Sequence, residues 1–189
     1  MKDRIHAIIA ESINVKRAAL DKNLDAVVKA ASVVIACYRN GGKVLLCGNG
    51  GSAADSQHIA AEFIGRFQKE RRALAAIALT TDTSILTSLA NDYSYDLVFA
   101  RQVEALGQKG DILIGISTSG KSANVLKAIE KAKAQGLTTV AFTGGDGGPM
   151  AQAADIAVIV PSKVTARIQE SHIALFHALC EVVENAFAG

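Results

Sequence analysis

His58 and Glu62 stand four residues apart, directly after the run Gly48-Asn49-Gly50-Gly51-Ser52. On a helix that spacing puts an imidazole and a carboxylate on one face. The glycines let backbone amides approach an anion, and a helix opening at Ser52 aims its first N–H groups the same way. Near the other end of the chain, Gln169, His172 and His177 share a second helical stretch. Gln169 and His177 are about two turns apart and differ by roughly 80° around the axis, so both can point to one side. If the two helices meet, His58, Glu62, Gln169 and His177 can converge. Imidazole nitrogens with side-chain oxygens suit either proton transfer or a divalent ion of the zinc type, although an amide ligand is unusual. A lone His is more often a hydrogen-bonded, half-buried side chain. A His-x-x-x-Glu beneath a Gly-rich turn shifts the balance toward function.

A second group of residues suits a phosphate ester. Ser117-Thr118-Ser119-Gly120-Lys121-Ser122 follows an apolar run and offers four hydroxyls in six residues. One helix cap needs only one of them. Two nucleotide readings fail. Gly48-x-Gly50-x-x-Ala53 matches a dinucleotide turn, but Glu70 lies before the second strand and Asp82 too far past it to serve as the ribose acid. Gly120-Lys121-Ser122 has the tail of a phosphate-binding loop, but the Gly at 115 that would open it falls inside a strand.

These turns need a scaffold, and the chain alternates between helix and strand. Helix is expected from about Asp3 to Asn40, broken near Asp21, and stopped by Gly41-Gly42. Strands are expected at Lys43–Cys47, Ala75–Leu79, Asp111–Ser117, Thr138–Thr143 and Ile156–Val160. Helices are expected at Ser52–Phe67, from a cap at Asp82 to about Ala90, at Tyr95–Leu106, Ser122–Gln135 and Thr165–Ala188, with a short one at Ala151–Ala153. The strands are continuous apolar runs, as in a parallel sheet covered on both faces. The fold class is α/β: a doubly wound, flavodoxin-like sheet of five parallel strands flanked by helices, with a long N-terminal helix. In such a fold ligands sit beyond the carboxyl ends of the strands, where the polar turns fall.

Composition narrows the function classes. The 189 residues carry a net charge of +2, too little to argue for nucleic acid or an anionic membrane. Lys69-Glu70-Arg71-Arg72 reads as a solvated loop. Cys37, Cys47 and Cys180 read as reduced, buried thiols of a cytoplasmic protein. No signal segment and no bilayer-spanning stretch is expected. Residues 1–189 form one domain, and residues 1–40 have more apolar surface than a lid needs, so a partner subunit is expected to cover part of them.

The strings 47–58 (Cys-Gly-Asn-Gly-Gly-Ser-Ala-Ala-Asp-Ser-Gln-His), 90–93 (Ala-Asn-Asp-Tyr), 115–125 (Gly-Ile-Ser-Thr-Ser-Gly-Lys-Ser-Ala-Asn-Val) and 165–172 (Thr-Ala-Arg-Ile-Gln-Glu-Ser-His) resemble the sugar isomerase (SIS) domain family and, within it, the phosphoheptose isomerases. The resemblance spans nearly the whole chain. It implies a homotetramer with sites between subunits, and conversion of sedoheptulose 7-phosphate to D-glycero-D-manno-heptose 7-phosphate, toward the ADP-heptose of lipopolysaccharide core. It implies substrate contacts at Asn49, Gly50, Gly51, Ser52, Glu62, Asn91, Asp92, Ser117, Thr118, Ser119, Ser122 and Gln169. It further implies an acid/base pair, Glu62 and His177, one zinc per subunit on His58, Glu62, Gln169 and His177, and no nucleotide cofactor. Whether the metal is catalytic or organises the site stays open. Lys121 stands where the family often has Asn, and Ala166 where some members carry Asp. A related class of SIS proteins binds a replication initiator without catalysis. Those proteins tend to lack the second acid/base His and alter the Ser-Thr-Ser loop, whereas this chain keeps both.

Overall fold

The structure, a computed structural model, describes residues 1–188. Five strands, β1 (Val44–Gly48), β2 (Ala76–Ala78), β3 (Ile112–Ser117), β4 (Thr138–Gly144) and β5 (Ile156–Val160), form one sheet in the order β2-β1-β3-β4-β5. Every pairing is parallel. Successive strand residues point to opposite faces, and each face has its own core. Val44, Leu46, Ile114 and Phe142 pack with α1 (Lys2–Arg39), α2 (Gly51–Ile64) and α7 (Thr165–Asn185). Leu45, Cys47, Leu113 and Ala141 pack with α4 (Val98–Leu106), α5 (Ala123–Ala134) and α6 (Gly148–Ala153). Two covered faces explain the unbroken apolar runs. Between β2 and α4 the chain makes α3 (Thr83–Asp92), capped as expected by Asp82 Oδ1 on the Ile85 N–H at 2.9 Å, and a 3-10 turn at Tyr95–Leu97.

The first helix does not break near Asp21. It runs unbroken from Lys2 to Arg39 because Ala19, Asn23, Val27, Ala30 and Val34 keep one buried stripe. Asn23 explains the continuity. Its side chain accepts from the Ile159 N–H at 2.7 Å and donates to the Ile159 carbonyl at 3.0 Å. An amide side chain thus satisfies the outer edge of β5, groups that would otherwise template another strand. The helix expected at Tyr95–Leu106 is narrower at its start, its first residues tightened into the 3-10 turn.

The basic cluster is a solvated loop at Lys69, Glu70 and Arg72, which are exposed, but not at Arg71. Arg71 is buried against Glu184, with Nε 3.6 Å from Oε1. It also donates to the Gly65 carbonyl at 2.9 Å and the Glu62 carbonyl at 2.7 Å. Glu184 accepts the backbone N–H groups of Phe67, Gln68 and Lys69 at 2.7, 2.7 and 2.8 Å. Burial alone would raise its pKa, but these amides and Arg71 outweigh that and hold the carboxyl below its ordinary value. The clamp ends α2 at Ile64, before the Phe67 expected, and ties that end to α7. No helix among the described residues is long and apolar enough to cross a membrane.

Candidate active site

Helices α2 and α7 lie side by side on one face of the sheet and carry the reactive side chains. His58 Nε2 faces His177 Nε2 at 3.0 Å, and Glu62 Oε1 lies 3.5 Å from His58 Nε2. His58 is about half exposed and Glu62 mostly covered, at 47% and 20% of their side-chain surfaces. Two Nε2 atoms at that distance require one ring to donate and the other to accept. Phe67 lies beside the pair, its ring centroid 5.5 Å from that of His177.

Gln169 lies against the Gly-rich turn. A Cβ on Gly51 would collide with Gln169 Nε2, so only Gly lets the amide of α7 lie on the turn that opens α2. Ser52, expected among the substrate contacts, is buried beneath that turn. The structure thus brings His58, Glu62 and His177 to one helix–helix seam, and sets Gln169 against the turn that opens α2. His172 does not join them. It is fully buried and its Nε2 bonds the Thr143 carbonyl at 2.9 Å.

Among the described residues, no three His, Cys, Asp or Glu side chains ring a common point as a metal cage. Glu62, His58 and His177 instead form a chain of neighbours. The two imidazoles nevertheless fit a shared ion. Ligands bound at about 2.0–2.1 Å in a tetrahedron sit about 3.3 Å from each other, close to the 3.0 Å found.

The hydroxyl-rich turn between β3 and α5 has the geometry of a ligand cradle. Ser122 occupies the N-cap position of α5, yet its hydroxyl caps no helix amide. It turns instead to Ser117 Oγ at 2.8 Å, with Ser119 Oγ a further 3.4 Å from Ser117. Thr118, Ser119 and Lys121 open onto a cleft of about 440 Å³ whose walls include Gly144, Asp146 and Lys163. Neither lysine ammonium has an ion-pair partner among the described residues, so the cleft carries two free cations against one carboxylate.

Asn91 and Asp92 stand apart from the His58 seam. They are exposed at the end of α3, and Asn91 Nδ2 donates to Asp92 Oδ1 at 2.8 Å. Two residues escaped the sequence reading. Asn124 pairs with Asn49, and the Tyr95 hydroxyl donates to Asn49 Oδ1 at 3.2 Å. The only available signal was position: Asn124 falls two residues past the hydroxyl turn. Asp55, one turn before His58, has a buried Oδ2 without a partner among the described residues, and burial raises its pKa against the opposing influence of His58.

Comparison with known proteins gives one answer at three levels. Residues 9–144 match the family model described as SIS domain. The phosphoheptose isomerase of Roseiflexus sp. (strain RS-1) is 57% identical over 93% of this chain and 89% of its own. That of Aquifex aeolicus (strain VF5) is 55% identical over 97% and 96%. The solved structure of phosphoheptose isomerase GmhA from Neisseria gonorrhoeae superposes with a TM-score of 0.92 at 48% identity, covering 97% of this chain and 98% of that one. With a five-stranded parallel sheet, a seam of His58, Glu62 and His177 between α2 and α7, and relatives this similar over nearly their whole length, the chain belongs to the SIS domain family and, within it, to the phosphoheptose isomerases.

Proposed function

We propose that the protein is an aldose–ketose isomerase that converts sedoheptulose 7-phosphate to D-glycero-D-manno-heptose 7-phosphate, an early step toward ADP-heptose. The observation that carries the chemistry is the seam of α2 and α7, where Glu62, His58 and His177 follow one another at 3.5 and 3.0 Å. The phosphate binds to Ser117, Thr118, Ser119 and Ser122, and the three serine hydroxyls already gather on one another. Anchoring there spends remote binding energy on geometry at the reacting carbons. Asn49, Gly50, Gly51 and Ser52 grip the sugar end. Asn91, Asp92 and Gln169 orient its hydroxyls.

Glu62 removes the proton from C1 of the ketose, giving a cis-enediol(ate), and returns a proton to C2. His177 carries the proton from the C1 oxygen to the C2 oxygen, so the charge stays balanced. General acid–base groups of this kind contribute about 10²–10⁴-fold each. His58, Glu62, Gln169 and His177 are the residues that would hold a zinc ion. A bound zinc supplies Lewis-acid polarisation of the substrate carbonyl.

Residues 1–189 act as one SIS domain, and residues 1–40 build the assembly. Ile5, Ile9, Leu24 and Val28 on α1 and Val182 on α7 are each more than half exposed, an apolar face larger than a lone subunit keeps. A homotetramer that covers it, with sites between subunits, is the reading we adopt; light scattering of the purified protein measures it. Three unpaired, buried cysteines agree with a cytoplasmic location. The function is tested by supplying sedoheptulose 7-phosphate to the pure protein and following the aldose phosphate. Product formation supports the reading, and no product at high enzyme concentration sinks it.

A further inference from the structure

Asn124 is the second residue of α5 and is only 3% exposed. The N–H of Val125 is among the first-turn amides that no carbonyl inside the helix can satisfy. It donates to Asn124 Oδ1 at 2.9 Å. A backbone N–H can only donate, so this bond fixes which end of the Asn124 amide is the oxygen. The rest of the network follows. Asn124 Oδ1 also accepts from Asn49 Nδ2 at 2.9 Å, and Asn124 Nδ2 donates to Asn49 Oδ1 at 2.9 Å. The two amides close a reciprocal pair between residues 75 positions apart. The Tyr95 hydroxyl adds a second donor to Asn49 Oδ1 at 3.2 Å.

The lone-pair and proton count of Asn49 is now nearly closed. Both lone pairs of Oδ1 are taken, by Asn124 and Tyr95. One of the two Nδ2 hydrogens is taken, by Asn124. A single N–H remains.

We propose that Asn124 is a positioning residue that locks the Asn49 amide with one N–H free for the ligand, and so ties the helix behind the phosphate loop to the turn that holds the sugar. Tyr95 completes the lock from the exposed side. The ligand atom opposite Asn49 is therefore an acceptor, a carbonyl or hydroxyl oxygen, and not a hydroxyl in search of a lone pair. The inference rests on the reading of Asn49 as a substrate contact in the isomerase.

The test is a double-mutant cycle on the full chain with sedoheptulose 7-phosphate. Asn124→Ala is expected to lower kcat/KM by about 10- to 100-fold. Asn49→Ala should lose at least as much, and the double variant should lose no more than Asn49→Ala alone. Multiplying losses, or Asn124→Ala within 2-fold of wild type, overturn the proposal. Tyr95 is exposed, so Tyr95→Phe keeps the fold. It should raise KM by about 3- to 10-fold with an unchanged Tm, and the effect should vanish when Asn49 is Ala. A Tyr95→Phe effect that persists in that background also overturns it. Calorimetric binding of the same ketose phosphate through the same cycle separates this proposal from the isomerase reading. Coupled binding without turnover sinks the reading and keeps the lock. Turnover with uncoupled losses does the reverse.

Discussion

Two histidines five residues apart on α7 have opposite fates. His172 is fully buried, edge-on to Phe142, with Nε2 bonded to the Thr143 carbonyl. A carbonyl only accepts, so Nε2 carries the hydrogen, and Nδ1 is left buried without a partner among the described residues. Burial lowers the His172 pKa from the ordinary 6.5 to about 4, so the ring stays neutral at physiological pH. His177 is half-buried, and its Nε2 meets His58 on α2. One helix thus holds the same side chain as a core strut on one face and, on the other, as the half-buried partner of His58 that we propose carries a proton. Helix face and solvent access separate them; residue type does not.

That contrast can be broken at several points. The largest effect is expected at the seam. Glu62→Gln and His177→Gln should each cut kcat by about 10²–10⁴-fold while circular dichroism and Tm stay near wild type. Near-wild-type turnover in either variant would remove that residue from the chemistry. Next comes Gly51→Ala, which forces Gln169 off the turn. A fall in kcat/KM of about 10- to 100-fold is expected, following the cost of misplacing a positioned group. An unchanged value would mean that the amide need not lie on the turn.

The buried histidine should answer in stability rather than in turnover. Between about pH 6.5 and pH 4 the unfolded chain binds a proton at His172 that the folded protein refuses. More protons in the unfolded state mean that stability rises with pH across this window and is lost as the pH falls through it. The full loss is on the order of 3 kcal/mol. Urea titrations of wild type and His172→Gln at several pH values measure it. The variant should lose this part of the slope while its turnover per folded molecule stays within about 3-fold of wild type, below the scale of a catalytic group. A catalytic defect on the scale of His177→Gln would erase the distinction between the two faces.

The smallest effect belongs to Lys121. It is exposed at the cleft beside the hydroxyl turn, so its charge is screened and its contribution modest. Lys121→Asn should raise KM for the sugar phosphate about 2- to 5-fold with kcat unchanged. The KM of wild type should also rise more steeply with salt. No change would leave phosphate binding to the neutral donors.

The two histidines also show what could be read without coordinates. The parallel sheet was legible because continuous apolar strands between polar turns have few other uses. The seam was legible because His58 and Glu62 are four residues apart and Gln169 and His177 share a side of one helix. What escaped depended on partners distant in sequence. The stretch near Asp21 looked like a place to interrupt α1, yet Asn23 there closes the edge of β5, 136 residues away. Arg71 looked like a solvated charge, yet Glu184 holds it inside. Asn124 carried no pattern of its own, because its role exists only opposite Asn49 and Tyr95.

The central claim is that Glu62 moves a proton between adjacent carbons of the substrate. Isomerisation of sedoheptulose 7-phosphate in heavy water, followed by NMR at C2 of the aldose phosphate, tests it most directly. The mostly covered but not sealed carboxylate predicts deuterium at C2 in the wild-type product, and neither turnover nor exchange in Glu62→Gln. Turnover and exchange at the wild-type rate in Glu62→Gln would contradict the account.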